Sequence, residues 1–141
     1  MTFRQLAFVP ITLALMVLLA ACGSQNSMLP AITVTFTPSF EPPTSMIVNE
    51  QCGIAATVTN DNKNAGVNWT VTCGSAGQCG SFSPLPSSAS AVPVTYTAPA
   101  AIPNGKTVTV TATSVTDPTK FVSSSPIPIT QTVSSGCVQP Q

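Results

Sequence analysis

The sequence predicts an all-β domain, and three observations point to it. After residue 22, apolar residues recur at every second position in several short runs, which is the period of a strand with one buried face. Residues that favour turns separate these runs at intervals of about 8 to 12 residues, as in a β-sandwich. No segment after residue 22 shows the periodicity of an amphipathic helix. The 141 residues are enough for one such domain.

Residues 1–21 have the features of a targeting segment and are excluded from the predicted fold. Arg4 provides a positive charge, and the apolar run from Leu6 to Leu19 is shorter than the ~20 residues of a membrane-spanning helix. The run ends in LAAC, which resembles the lipobox of bacterial lipoproteins. This resemblance implies that Cys22 is acylated and anchors the chain to membrane lipid at the cell envelope. An ordinary signal peptide with a chance cysteine is the alternative.

Residues 22–30 then form the lipidated N-terminus and a polar tether. Gly23 follows the cysteine, which resembles lipoproteins of the outer membrane in cells that have two membranes. Fully extended, the stretch from Gly23 to Pro30 reaches only about 26 Å. The folded domain is predicted to span residues 31–137, with a tail at 138–141.

The first part of the domain contains two long predicted strands with a short one between them. One runs from Ile32 to Thr37 and ends at Pro38. After a crossover, Met46 to Val48 form a short edge strand. A second long strand spans about Gly53 to Thr59, and its alternation places Ile54, Ala56 and Val58 inward and Ala55, Thr57 and Thr59 outward.

The third long strand, Val67 to Cys73, carries the only tryptophan of the chain, Trp69. Strict alternation puts Trp69 on the inward side of this strand, together with Val67, Val71 and Cys73. Because the chain has few other large side chains, Trp69 is the predicted centre of the core.

Four segments complete the prediction. Residues 83–90 are rich in proline and serine and are expected to be irregular, and Val92 to Thr97 form a strand with Val94 and Tyr96 inward. Thr107 to Thr113 alternate most regularly and bury Val108, Val110 and Ala112. The last strand runs from Phe121 to Val133, and because Pro126 and Pro128 lack N–H groups, it is expected at a sheet edge.

About seven strands with a tryptophan on the third predict an immunoglobulin-like β-sandwich. The sequence also resembles bacterial Ig-like (BIG-type) domains of surface and secreted proteins over Ile32 to Ile129. The matching motifs, in order, are ATVTND from Ala56, GVNWTVTCGS from Gly66, CGSF from Cys79, YTAP from Tyr96 and VTVTATSVTDPTK from Val108. The resemblance implies a sandwich with a surface or scaffolding role and no catalytic residues to carry over.

Four cysteines remain once Cys22 is assigned to lipid, and in an exported protein an even set predicts two disulfides. Three connectivities are open. The short spacing favours a ring between Cys73 and Cys79. The immunoglobulin topology implied by the resemblance brings the start of the second strand and the end of the last one together, which favours Cys52 with Cys137.

Composition argues against most enzymatic chemistry. There is no histidine, and the four carboxylates are far apart in sequence, so neither a common general base nor a carboxylate pair is evident. After Cys22 the chain has three lysines and four carboxylates, a net charge of −1, which does not favour nucleic acid. The loop from Asn60 to Asn64 is rich in oxygen ligands, but Lys63 occupies a position where calcium would need a carboxylate. We predict no cofactor and no metal.

The expected function is therefore non-catalytic binding or scaffolding at the envelope surface, with an unidentified protein or glycan partner. Loops on a rigid scaffold are the usual binding elements, and the candidate binding loop contains Gln78, Phe82 and Leu85. For the last two, a role as caps at the end of the sandwich is the favoured alternative. A carbohydrate-binding or matrix-adhesion module is the alternative, and its exposed aromatic platform would come from Phe40, Phe82 or Phe121. An envelope hydrolase is the third, least favoured hypothesis.

Overall fold

The structure is a computed structural model that describes residues 29–74, 78–132 and 136–138. These residues form eleven short strands and one 3₁₀ turn, Pro38–Phe40, and they contain no α-helix. The all-β prediction is confirmed. Within the same ranges, no helix is long and apolar enough to cross a membrane. The targeting segment, Cys22, most of the tether and most of the tail lie outside the described residues.

The strands are short because proline, glycine and asparagine interrupt the chain often. In chain order they are β1 (Thr33–Phe36), β2 (Met46–Ile47), β3 (Gln51–Ile54), β4 (Ala56–Thr59), β5 (Val67–Cys73), β6 (Ser81–Ser83), β7 (Ser87–Ser88), β8 (Val94–Thr97), β9 (Thr107–Ser114), β10 (Phe121–Ser123) and β11 (Ile127–Thr130).

The strands pair in three sheets. The largest has the order β2-β11-β9-β5-β7, and β10 also pairs with β9. The second has the order β3-β8-β6, and the third is the pair β1-β4. All pairs are antiparallel except β2 with β11, which is parallel. The longest ladder joins β5 to β9 over all seven residues of β5.

The second long strand of the sequence prediction is in fact two strands, because the chain changes partner at Ala55. β3 pairs with β8, whereas β4 pairs with β1. At the break, the Ala55 N–H donates to the Phe40 carbonyl (3.0 Å) and its carbonyl accepts from Thr37 N–H (2.9 Å). Ala55 is fully buried, so its predicted outward position is wrong. The crossover between β1 and β2, residues 37–45, lies beside Ala55 and bonds to both of its backbone polar groups.

The last strand also differs from the prediction. It is divided into β10 and β11, and at the break Ser124 pairs with Val110 through both its N–H and its hydroxyl. β11 does not lie at an edge, since β2 pairs with its far side starting at Ile129, just past Pro128. The expected edge strand around Met46 is confirmed, and it is this strand that shields β11. The stretch expected to be irregular contains β7, which pairs with β5.

Trp69 lies at the centre of the core, as predicted, with only 2% of its surface exposed. Its ring stacks on Phe36 (6.4 Å between centroids) and contacts Phe82 (6.0 Å), which in turn contacts Tyr96 (5.3 Å). The indole N–H donates to the Ser88 hydroxyl at 3.1 Å, so its polar atom is satisfied. The predicted inward residues of β8 and β9 are buried around it: Val94, Tyr96, Val108, Val110 and Ala112.

Replacing Trp69 tests this description of the core. We expect Trp69→Ala to lower the free energy of unfolding by about 3–5 kcal/mol, because it removes the largest buried side chain and leaves a cavity. Asn68→Ala, one residue away on the exposed side of β5, is the matched control and should change stability by less than about 0.5 kcal/mol. Urea unfolding followed by circular dichroism measures both. Equal effects at the two positions would contradict the assignment of Trp69 to the core.

Candidate functional site

The strand register divides the domain into two ends. At one end, which we call the N-terminal pole, the start of β1 lies beside the end of β4 (Thr33 opposite Thr59), and the start of β5 beside the end of β9 (Val67 opposite Ser114). This pole also includes the loop at residues 60–66 and the turn at residues 115–120. The opposite end, where β5 finishes at Cys73, is the disulfide pole.

Both disulfides favoured by the sequence are present, and both lie at the disulfide pole. Cys52 is joined to Cys137 and Cys73 to Cys79, with Cα–Cα distances of 5.2 and 5.4 Å. Beside the first bridge, Gly53 N–H donates to the Val138 carbonyl at 2.8 Å. The end of the described chain is therefore held against β3 by one covalent bond and one hydrogen bond.

The second disulfide ring is tied to the core through Tyr96. The Tyr96 side chain is fully buried, and its hydroxyl donates to the carbonyl of Cys79. Burial raises the pKa of Tyr96 well above its ordinary value, so the phenol stays protonated and keeps donating. The sequence placed Tyr96 inward, but nothing in its pattern indicated this hydrogen bond.

The three residues of the candidate binding loop do not share one surface. Gln78 is exposed, and Leu85 is 62% exposed. Phe82 belongs to β6, lies opposite Tyr96 and packs against Trp69, so it caps the core. Of the three, only Gln78 and Leu85 have side chains that are free to meet a partner.

A more extensive surface is the outer face of the large sheet, which we call the threonine face. Its members alternate with the buried residues of β5 and β9 and continue onto β10: Asn68, Thr70, Thr72, Thr109, Thr111, Thr113, Phe121 and Ser123. None of these side chains is charged. Phe121, which lies opposite Thr113, is 60% exposed, whereas the other platform candidates, Phe40 and Phe82, are half-buried.

The loop at residues 60–66 of the N-terminal pole is held by hydrogen bonds to Asp61. The Asp61 carboxylate accepts from Lys63 N–H (3.0 Å), Ala65 N–H (2.9 Å) and the Thr116 hydroxyl (2.8 Å). Desolvation alone would raise the pKa of Asp61, but these bonds and one from Gly66 outweigh it and hold the pKa below its ordinary value. Asp61 thus joins the loop to the 115–120 turn, a structural role for this carboxylate.

The open grooves on the described surface include the following two. One, of about 510 Å³, is at the N-terminal pole and is lined by Leu29, Pro30, Ile32, Val58, Asn60, Asp61, Asn62 and Asn64. The other, of about 370 Å³, lies between the crossover and the β10–β11 break and has Glu41 as its one ionisable residue. Each has a single carboxylate, and the described residues include no group of three histidine, cysteine or acidic side chains that could hold a metal.

The role of Asp61 predicts a specific pH dependence. Its folded-state pKa lies below 3.8, so its contribution to stability is complete above that pH and is lost as the pH falls through the folded-state value. Asp61→Ala should therefore lower the midpoint of thermal unfolding at pH 7, and the gap from the wild type should narrow as the pH falls below 3.8. Lys63→Ala, in the same loop but with its side chain outside these bonds, is the control. A gap that stays constant with pH would rule out this role.

Comparison with known proteins adds nothing to this geometry: no family model, no curated protein and no solved structure matches the chain. The features that bear on function are therefore the two poles, the threonine face and the N-terminal sequence.

Proposed function

We propose that this chain is a lipid-anchored, non-catalytic protein that presents an immunoglobulin-like domain for binding or scaffolding at the cell envelope. The observation that carries the proposal is the LAAC sequence ending at Cys22, which follows a short apolar run and precedes a brief tether into a disulfide-bonded β domain. Disulfides are typical of oxidising compartments outside the cytoplasm, which agrees with export.

The order of strand pairing supports the immunoglobulin-like topology. One layer would contain β1, then the β3–β4 strand, then β8 and β6, and the other β11, β9, β5 and β7. The parallel pairing of β2 with β11 fits a first strand that crosses between the layers. A buried tryptophan on the third long strand is also characteristic of this fold. A central disulfide between the sheets, usual in antibody domains, is replaced by two bridges at one pole.

The environment of the carboxylates supports a non-catalytic role. Asp61 and Asp117 accept hydrogen bonds within their own turns, and the Glu50 carboxylate accepts from Ile47 N–H at 2.8 Å. Hydrogen bonds from Thr119 lower the pKa of Asp117, so this group is ionised at neutral pH. The two aspartates, held ionised in turns, are poor proton donors, since a general acid needs a raised pKa instead.

Mass spectrometry of the protein purified from native membranes tests the anchor. We expect the N-terminal peptide to begin at Cys22 and to carry two or three acyl chains, because one chain alone gives only marginal binding. The Cys22→Ser variant should lose both the acyl mass and the membrane association while keeping its two disulfides. An unmodified Cys22 in the wild-type protein would overturn the anchor.

A glycan-binding role is the second candidate, and the threonine face favours it. Its hydroxyl and amide groups can hydrogen-bond to sugar hydroxyls, and Phe121 offers an exposed ring for stacking. The absence of charge among the members of this face suits a neutral polysaccharide better than an acidic one.

Affinity electrophoresis in gels containing hydroxyethyl cellulose or soluble starch tests this second candidate. If the face binds neutral glycans, Phe121→Ala should weaken the retardation about tenfold, since it removes the stacking ring. Val92→Ala is the control, because Val92 is an exposed apolar residue (50%) that precedes β8 and is not a member of the face. No retardation of the wild type, or an equal loss in both variants, would count against glycan binding here.

A further inference from the structure

The structure fixes the point at which the tether meets the domain. Leu29 and Pro30 lie two residues before β1, and the Ala31 carbonyl accepts a hydrogen bond from the Asn60 side-chain amide at 2.9 Å. Two residues later, Thr33 pairs with Thr59 and their hydroxyls are 2.6 Å apart. The chain therefore joins the domain at the N-terminal pole, and it is held there from Ala31 onward.

The length of the tether limits how the domain can be oriented. Seven peptide units separate Cys22 from Leu29, a reach of at most about 24 Å. From Thr107 to Ser114, β9 alone extends about 24 Å from the disulfide pole to the N-terminal pole, and the loops at both ends add to this height. If the disulfide pole faced the bilayer, the tether would have to run fully extended along the whole domain, and this extension costs conformational entropy. With an anchor at Cys22, the N-terminal pole would thus be the end that faces the lipid.

We propose that the N-terminal pole contacts the bilayer surface directly, with Leu29 and Val115 reaching into the boundary between headgroups and acyl chains. This inference rests on the proposed lipid anchor. Leu29 is 79% exposed and Val115 41% exposed. The groove beside Leu29 has apolar walls from Ile32 and Val58 and a rim of three asparagines, a combination that suits the polar headgroup layer.

Charges at this pole indicate what kind of lipid it meets. The two lysines, Lys63 and Lys120, are matched by Asp61 and Asp117 in the same two loops. Because the pole has no net charge, anionic lipid would strengthen its binding to the bilayer very little. The contact therefore depends on apolar side chains. It is also a rigid surface, because Thr116 is bonded to Asp61 and Val115 N–H donates to the Gly66 carbonyl at 3.0 Å.

Tryptophan substitution at the two poles provides the test. Val115→Trp places a reporter at the N-terminal pole, and Ile102→Trp places one in the β8–β9 loop at the disulfide pole. The two positions are matched in exposure, at 41% and 39%. Native Trp69 is buried in both variants and contributes a constant background. Each acylated protein is reconstituted into phosphatidylcholine vesicles with or without bromine on the acyl chains, which quenches nearby indoles.

We expect the bromolipid to remove about half or more of the added emission in Val115→Trp and almost none in Ile102→Trp, since the contact reaches only about 5–10 Å into the interface. Leu29→Trp is a second reporter at the same pole should Val115→Trp misfold. Vesicle flotation reports the anchor independently. A protein that floats but is not quenched at the N-terminal pole, or is quenched equally at both, overturns the contact alone. A protein that does not float overturns the anchor and the contact together.

Discussion

The pairing of β5 with β9 is the interaction on which the rest of the structure depends. It is the longest ladder, and it places Trp69 directly opposite Ala112. Because alanine is small, the indole can turn across the core toward Phe36 on β1 and Phe82 on β6. One large side chain thereby joins strands of all three sheets. This explains how a chain with so few aromatic residues, and strands mostly of two to four residues, can form a single core.

The alternation in the sequence predicted which residues form this core, but it did not predict which strands pair with each other. Alternation shows which residues share a face, so the inward positions of β5, β8 and β9 were predicted correctly. It does not show which strand lies alongside. Ala55 was placed outward because its neighbours alternate, yet the change of partner from β8 to β1 buries it. Similarly, Pro128 has no N–H to donate, but β2 begins pairing one residue later.

Candidate binding residues were harder to predict for a related reason. Phe82 and Phe121 both lie in three-residue strands, and both were platform candidates in the sequence prediction. Phe82 lies opposite Tyr96, whose side chain faces the core, whereas Phe121 lies opposite Thr113, whose side chain faces outward. Exposure is thus decided by the register between strands that are distant in sequence. The threonine face could have been predicted from the outward residues of TVTVTAT. The sequence prediction used this alternation mainly to identify the inward residues.

The two poles are held together by different forces, and this difference is consistent with an anchored domain. The disulfide pole has both covalent bridges, and in the chain-entropy model a loop closed over 85 residues stabilises the fold by about 4.5 kcal/mol and the small ring by about half as much. The N-terminal pole depends on hydrogen bonds that the Asp61 carboxylate accepts and the Asn60 amide donates. If the lipid anchor holds the N-terminal pole at the bilayer, the membrane restrains the end that neither of these two disulfides joins. The disulfides then stabilise the end that projects farthest from the membrane, where a partner would be met.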